Sequence, residues 1–509
     1  MTFEAPHIDY AGLSPVIALT AGLCVVLMAG LFGGARQRFT VSALTIVVLG
    51  TTAGLLIWQW GEGKDLVAGA LRLDDLAIAI ALIAVAAAAF VVPLTLREPA
   101  AEERHGEIQA LLLCSTLGMV LLAQAQNLIA LFVALELLSV PLYVLCGSAL
   151  RRPRSLESGL KYLIVGSLGS ATLLYGLAFI YGASGSTDFT AISDGIGNGL
   201  ADDSLVLIGI GLAATGLAFK ASLAPFHQWT PDVYQGAPTP VTAFMSVATK
   251  AAAFCVFVRF FEVALGPSVD DWQPALAALA AVSIAVGNIG ALGQDSLKRL
   301  LGYSGIAQAG YILTGLVVAS VTGVEALVFY LAAYALMNLA AFAVITIRER
   351  ETPFGDDIQA VQGLGAERPA LAWPLTISML ALAGIPGTAG FIGKLFLIEA
   401  AVEGGYTWLG VAIVVGTMVS LAYYLRVLAA VWMRPLAEGP PGEEMPAMAG
   451  GAPEADAAVP PAVRAPGTRC LLILVPTAIV AAATVFFGVY PDPLVDWATN
   501  AGESLSPFV

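Results

Sequence analysis

Long apolar runs recur from one end of this chain to the other, each about 18 residues or more and mostly joined by short polar connections. That rhythm leaves few folds open. A run of such length crosses the hydrocarbon core of a bilayer as a helix, because only helices and closed barrels satisfy every backbone polar group there. The pattern lacks short alternating strands, which argues against an outer-membrane barrel. The chain is 58% hydrophobic and 12% charged, with a mean hydropathy of +0.84, far from the composition of a soluble domain. The expected fold is an all-α integral membrane protein with about fourteen transmembrane helices. They centre near residues 23, 49, 85, 116, 136, 170, 214, 250, 283, 311, 336, 383, 417 and 480.

The first run follows an acidic N-terminus and has no clear small-residue cleavage site, so it reads as a retained helix rather than a signal peptide. A net charge of -14 argues against nucleic acid and against an anionic lipid surface as partner. The five cysteines, Cys24, Cys114, Cys146, Cys255 and Cys470, lie in or beside apolar runs without metal or redox spacing. They read as small buried hydrophobes. The longest polar stretch, 436–468, is rich in Pro, Ala, Gly and acid and reads as a flexible linker on the cytoplasmic side.

Orientation follows from the basic residues. Arg36 and Arg38, Arg97 and Arg104, Arg151, Arg152 and Arg154, Lys298 and Arg299, Arg348, Arg350 and Arg368, and Arg434, Arg464 and Arg469 all follow odd-numbered spans. The opposite connections carry almost only Lys64 and Arg72. The odd-to-even loops therefore face the cytoplasm and both termini face outside.

Against this background the lysines stand out. The chain has six, and Lys161, Lys220, Lys250 and Lys394 fall in or at the edge of apolar runs, whereas arginine keeps almost entirely to loops. Lysine sheds its proton when desolvated and arginine effectively does not. A buried group that loads and unloads protons should therefore be lysine, histidine or a carboxylate. The alternative is snorkelling, with the stem in lipid and the amine at the interface. It stays open above all for Lys161, close to the arginines at 151–154. Glu136 lies near the centre of span five in "LIALFVALELLSVPLYVL". An intramembrane acid calls for a basic partner, and Lys161 on the next span is the nearest by sequence.

Lys220 precedes Pro225 by five residues, and Lys394 follows Gly384, Pro386, Gly387, Gly390 and Gly393 within one span. Both spans look broken, which a membrane tolerates only where protein or water satisfies the freed backbone. Broken helices in matching positions of two repeats mark ion sites in transporters. The breaks fall in the seventh and twelfth spans, which implies two five-helix units of opposite topology. Helices 1–3 would occupy 1–106, the first unit 107–265, the second 266–435, the linker 436–468 and helix 14 the segment 469–509.

Three stretches, "LKYLIVGSLGSATLLYGLAFIYGASGSTDF" (160–189), "FKASLAPFHQWTPDVYQGAPTPVTAFMSVATKAAAF" (219–254) and "GIPGTAGFIGKLFLIEA" (384–400), closely resemble the antiporter-like subunit N family of respiratory complex I, the proton-pumping NADH:quinone oxidoreductase. "LKRLLGYSGIAQAGYIL" (297–313) and "FYLAAYALMNLAAFAVI" (329–345) add to the resemblance, which covers about 70–435. It implies fourteen helices, two inverted repeats and broken helices seven and twelve. By motif it assigns proton transfer to Glu136, Lys161, Lys220, Lys250 and Lys394, with Lys394 toward the outer exit. The Glu136–Lys161 pair would switch Lys220. His227, just past the Pro225 break, is a secondary candidate that feeds protons inward, or a hydrogen-bonded loop histidine.

The resemblance also implies a non-redox role in the enzyme. FMN, iron–sulfur clusters and quinone are expected in partner subunits, with no cofactor or metal in this chain. The implied partners are other membrane subunits, neighbouring antiporter-like subunits and small membrane subunits among them, in a bacterial plasma membrane. Gln308 departs from the pattern, since much of the family has a titratable histidine there. "IGIGLAATG" (208–216) sits in a span, and its glycines read as packing residues. The other readings are a multi-subunit Mrp-type cation/proton antiporter, which shares the fold, and a structural membrane subunit with no conducting role.

Overall fold

The computed structural model describes residues 8–32, 37–98, 101–200, 204–437 and 471–505. Among them, thirteen helices are long and apolar enough to cross a membrane. They fall where the periodicity puts them, and the expected all-α fold is what the chain adopts. The remaining expected span is present as two short pieces, Pro369–Ala383 and Ala389–Glu403. Counted in chain order with that broken span as the twelfth, the others run from Ser14–Leu31 to Leu471–Val489.

Helix starts follow local chemistry. Asp74, Asn127, Ser296 and Ser320 each sit in extended backbone, and each side chain accepts a hydrogen bond from a first-turn amide. Such caps satisfy donors that lipid cannot.

Two features lay outside the sequence reading. Lys64–Leu66 and Leu71–Leu73 pair as a short antiparallel hairpin. It is too short for alternation to register, and Ala70 O takes the Gln126 amide. After the last span, a turn leads into a second helix, Asp492–Glu503, so 469–509 is not a single helix. The linker at 436–468 lies almost wholly outside the described residues.

The spans differ in how they are covered. Thr239–Ala264, Leu297–Val317 and Val321–Glu351 are enclosed almost completely by other helices. Ser14–Leu31, Pro153–Ser184 and Leu471–Val489 turn most of their surface outward. Spans six and seven meet through small residues. A Cβ on Gly176 would come within 2.6 Å of Ala213 N and 2.9 Å of Gly209 O. Gly209 therefore packs as expected of "IGIGLAATG", whereas Gly211 faces open space.

Candidate proton-transfer site

Span seven ends at Lys220. Ser222 then takes a positive φ of 64°, and Ala224–Pro225 is a cis peptide bond. The freed backbone finds partners inside the protein. The Ala224 amide donates to Ser283 Oγ at 2.9 Å. Trp229 Nε1, from the short helix Trp229–Gly236, donates to Phe219 O at 3.2 Å. Lys220 is 2% exposed. Its ammonium donates to Ser139 Oγ at 2.7 Å and Tyr162 Oη at 3.1 Å, and lies 5.3 Å from the Tyr162 ring centre.

Lys250 lies on the enclosed span Thr239–Ala264 and is fully buried. Its Nζ donates to Gly305 O of span ten and sits 5.5 Å from the Tyr334 ring of span eleven. A five-residue π segment, Met245–Thr249, immediately precedes it. Gly305 has to be small, because a Cβ there would lie 2.7 Å from Lys250 Nζ and 3.1 Å from Tyr334 Oη.

Lys394 follows the second break, where Gly384 and Gly387 take φ of 77° and 86°. Its Nζ donates to Leu382 O at 2.9 Å and lies 5.2 Å from the Tyr311 ring. Gln308 links the two halves. Its Nε2 donates to the same Leu382 carbonyl at 3.3 Å and to Tyr424 Oη at 3.4 Å, and its Oε1 accepts from Tyr330. Tyr424 and Ser304 share a hydrogen bond of 2.5 Å. Ser304 precedes Gly305, the acceptor for Lys250. From Ser304, next to the carbonyl that Lys250 binds, hydrogen bonds run through Tyr424 and Gln308 to the Leu382 carbonyl that Lys394 also binds, inside otherwise apolar helices. At position 308, where the resemblance led one to expect a titratable histidine, an amide that cannot titrate makes these hydrogen bonds.

The expected Glu136–Lys161 pair does not form. Glu136 accepts from Ser170 Oγ. Lys161 instead binds Glu157 Oε1 at 2.6 Å and Asp232 Oδ2 at 3.1 Å, with its side chain 43% exposed. The reason is register. Spans five and six run antiparallel, and a Cβ on Gly159 would meet Gly147 Cα at 2.9 Å. With 147 opposite 159, Glu136 falls opposite 170. Lys161 lies nine residues away, roughly 13 Å along the helix. Asp232 joins Lys161 to Arg299 Nη1, at 2.5 Å, so these charges tie the segment after the break to spans six and ten. His227 lies in the turn between the two helical pieces, its ring 6.5 Å from that of Tyr303. Burial pushes its pKa below the ordinary imidazole value, with the Pro225 carbonyl opposing.

Lys298 and Arg259 are buried charged groups that the sequence reading did not single out. Lys298, counted among the loop cations, is 2% exposed and donates to Ala237 O at 2.8 Å and Thr239 Oγ1 at 3.2 Å. Arg259 is fully buried on span eight. It pairs with Asp74 and donates to Ala123 O at 2.7 Å and Gln126 Oε1 at 3.3 Å. The charged pair Arg259 and Glu262 inside an apolar run was the available signal. No metal-binding group of three or more His, Cys, Asp or Glu occurs among the described residues.

The transmembrane family described as NADH:quinone oxidoreductase/Mrp antiporter matches residues 125–420. The NADH-quinone oxidoreductase subunit N of Trichlorobacter lovleyi is 38% identical over 425 residues, 83% of this chain and 87% of that one. The chain belongs to this subunit N family. A chain of respiratory complex I from Thermus thermophilus, solved with bound aureothin, superposes with a TM-score of 0.77 at 33% identity, covering 95% of this chain and 99% of that one. A chain of the Mrp complex from Dietzia sp. DQ12-45-1b reaches a TM-score of 0.80 at 22% identity, covering 97% of each. That likeness is one of fold alone.

Proposed function

We propose that the chain is a proton-translocating membrane subunit of NADH:quinone oxidoreductase. Protons are taken from the cytoplasm, pass along Lys220, Lys250 and Lys394 near mid-membrane, and leave on the outer side beyond Lys394. Quinone reduction in neighbouring subunits drives the transfer. The observation that carries this reading is the polar series from Lys250 to Lys394 through Ser304, Tyr424, Gln308 and the Leu382 carbonyl. Such a series has little packing value in apolar helices, and its two ends are side chains able to exchange a proton.

Glu136 acts on Lys220 from the turn before Ser139, the residue that receives the lysine. Its influence runs along span five rather than through Lys161. His227 supplies protons from the inner side of the break. Lys161 acts with Asp232 at the inner rim, holding the broken segment. The two breaks, five spans apart, support a pair of inverted units, 107–265 and 266–435. The chain carries no redox centre of its own. FMN, iron–sulfur clusters and quinone belong to partner subunits, and further antiporter-like and small membrane subunits flank it. The location is a bacterial plasma membrane with both termini outside, as the basic loops favour.

The test is NADH-driven proton pumping in inverted membrane vesicles, native against Lys220→Ala, at matched complex content. A sharp fall in pumping and quinone reduction supports the proposal. Unchanged NADH oxidation with altered sodium-linked proton exchange favours an Mrp-type antiporter instead. Loss of assembly with native turnover per assembled complex leaves only a structural role.

A further inference from the structure

The buried polar groups not used above gather at the inner ends of spans eight, ten and eleven. From them we infer a second proton inlet, in which Glu349, Thr239 and Lys298 open a route from the inner surface directly to Lys250 without passing Lys220. It rests on the proton-transfer reading above and adds a port to it.

Glu349 belongs to "RERE" at the end of span eleven. Three of these residues behave as anchors. Arg348 binds Ala360 O at 2.7 Å and Glu367 at 3.0 Å. Arg350 pairs with Glu98, and Glu351 takes Arg97 at 3.2 Å and Arg368 at 2.7 Å. Glu349 is different, because its contacts lead inward. One oxygen accepts from Arg152, at 3.3 Å and 40% exposed at the surface. The other accepts from Thr239 Oγ1, whose lone pair in turn accepts from buried Lys298 at 3.2 Å. The lysine thus fixes the hydroxyl so that its proton points at the carboxylate.

Below this point span eight carries Thr239, Thr242, Ser246 and Lys250, spaced three, four and four apart and therefore on one helical face. All four are buried. Ser246 Oγ accepts from Asn338 Nδ2 at 2.7 Å, and the same amide donates to Tyr334 Oη at 3.2 Å, the tyrosine that flanks Lys250. Eleven residues of helix cover roughly 16 Å, about half a hydrocarbon core. The stripe therefore joins the inner surface to mid-membrane. Successive rungs lie about 5–6 Å apart at Cβ, a gap one water bridges. A proton from inner water binds the Glu349 carboxylate. Once Lys298 releases its lone pair, the Thr239 hydroxyl turns inward and gives its proton to a bridging water as its oxygen takes the proton from Glu349, and the relay ends on the Lys250 amine. Only O–H and N–H bonds form and break, and one positive charge moves.

The experiment uses the whole complex in inverted vesicles at matched content, reading NADH-driven proton uptake. In a Lys220→Ala background, where this inlet alone feeds Lys250, Glu349→Gln and Ser246→Ala should each lower the remaining uptake by roughly a hundredfold, the low side of what a positioned proton-transfer group contributes. Glu349→Asp should restore most of it. Ser246→Ala touches no ion pair, so it decides the matter even where Glu349→Gln fails to assemble. In that background, the absence of any remaining uptake, or uptake that Ser246→Ala leaves unchanged while Lys250→Ala abolishes it, overturns the inlet and leaves the relay standing. A Glu349→Gln defect that Asp does not rescue, beside a native Ser246→Ala, reduces Glu349 to an anchor and overturns it too. Native uptake in Lys250→Ala sinks the relay itself.

Discussion

Gly305→Ala tests whether Lys250 works from the seat it occupies. The new Cβ would stand 2.7 Å from Lys250 Nζ and 3.1 Å from Tyr334 Oη, where carbon and its neighbours settle at about 3.5–4.0 Å. Span ten is enclosed on nearly all sides, so its backbone does not yield. The tip of the lysine does, and in moving it gives up the Gly305 carbonyl, its hydrogen-bond acceptor. A hydrogen bond to a charged group is worth about 1.5–3 kcal/mol. At about 1.4 kcal/mol per factor of ten, relay through Lys250 slows by about tenfold to somewhat over a hundredfold. The helix itself should persist, since alanine favours helix over glycine by about 1 kcal/mol. The assay is NADH-driven proton uptake with quinone reduction measured alongside, at matched complex content. Native uptake in Gly305→Ala, beside a dead Lys250→Ala, would refute the claim that this seat matters.

Gln308→Leu should cut proton uptake several-fold by severing Tyr330 and Tyr424 from Leu382 and Lys394, while Gln308→His should retain much of it. Equal rates in the two variants would remove position 308 from the relay. Arg259→Gln leaves buried Asp74 with the more distant Arg72, at 3.5 Å, a loss of at most about 3–5 kcal/mol, and should lower the thermal midpoint of the purified complex. An unchanged midpoint would count against the pair as a latch. For Asp232, burial works to raise the pKa, but hydrogen bonds from Arg299 and Lys161 prevail and hold it below its ordinary value. A depressed folded value means the stabilisation is present above the unfolded carboxylate range and is lost as pH falls through the folded value, below about 4. With the side chain 39% exposed, solvent screening keeps it under about 1 kcal/mol. Thermal melts of native and Asp232→Asn complex should therefore differ by a constant small amount across the neutral range and converge only in acid.

How much of this was legible depended on whether a feature was local. The spans, the lysine positions and both breaks are written in composition and in Pro and Gly, which act on their own segments. The Glu136 partner was not, because it depends on how spans five and six slide past each other, and Gly147 against Gly159 sets that register. Lys298 looked like any cation after an odd span. Only the fold reveals that Ala237 and Thr239 arch over it. The tyrosines at 162, 311 and 334 are ordinary apolar-run residues until three different helices set them beside three lysines.

That recurrence carries its own argument. Lys220, Lys250 and Lys394 each sit 5.2–5.5 Å from a tyrosine ring. Each also donates to a neutral oxygen, of Ser139 and Tyr162, of Gly305, or of Leu382. None forms an ion pair among the described residues. The structural charges do the opposite, with Arg259 on Asp74 and Arg350 on Glu98 in direct contact. A buried ion pair strands its partner when one charge leaves, at several kcal/mol. A ring face and a carbonyl support an ammonium through partial charges and are not stranded when it becomes an amine. These three lysines are thus seated on dipoles, whereas the buried arginines Arg259 and Arg348 are paired to acids. Placing an aspartate at Ser139 should turn Lys220 from a cation seated on dipoles into one paired to an acid. The complex would then assemble normally and pump slowly, whereas native pumping in Ser139→Asp would break the distinction.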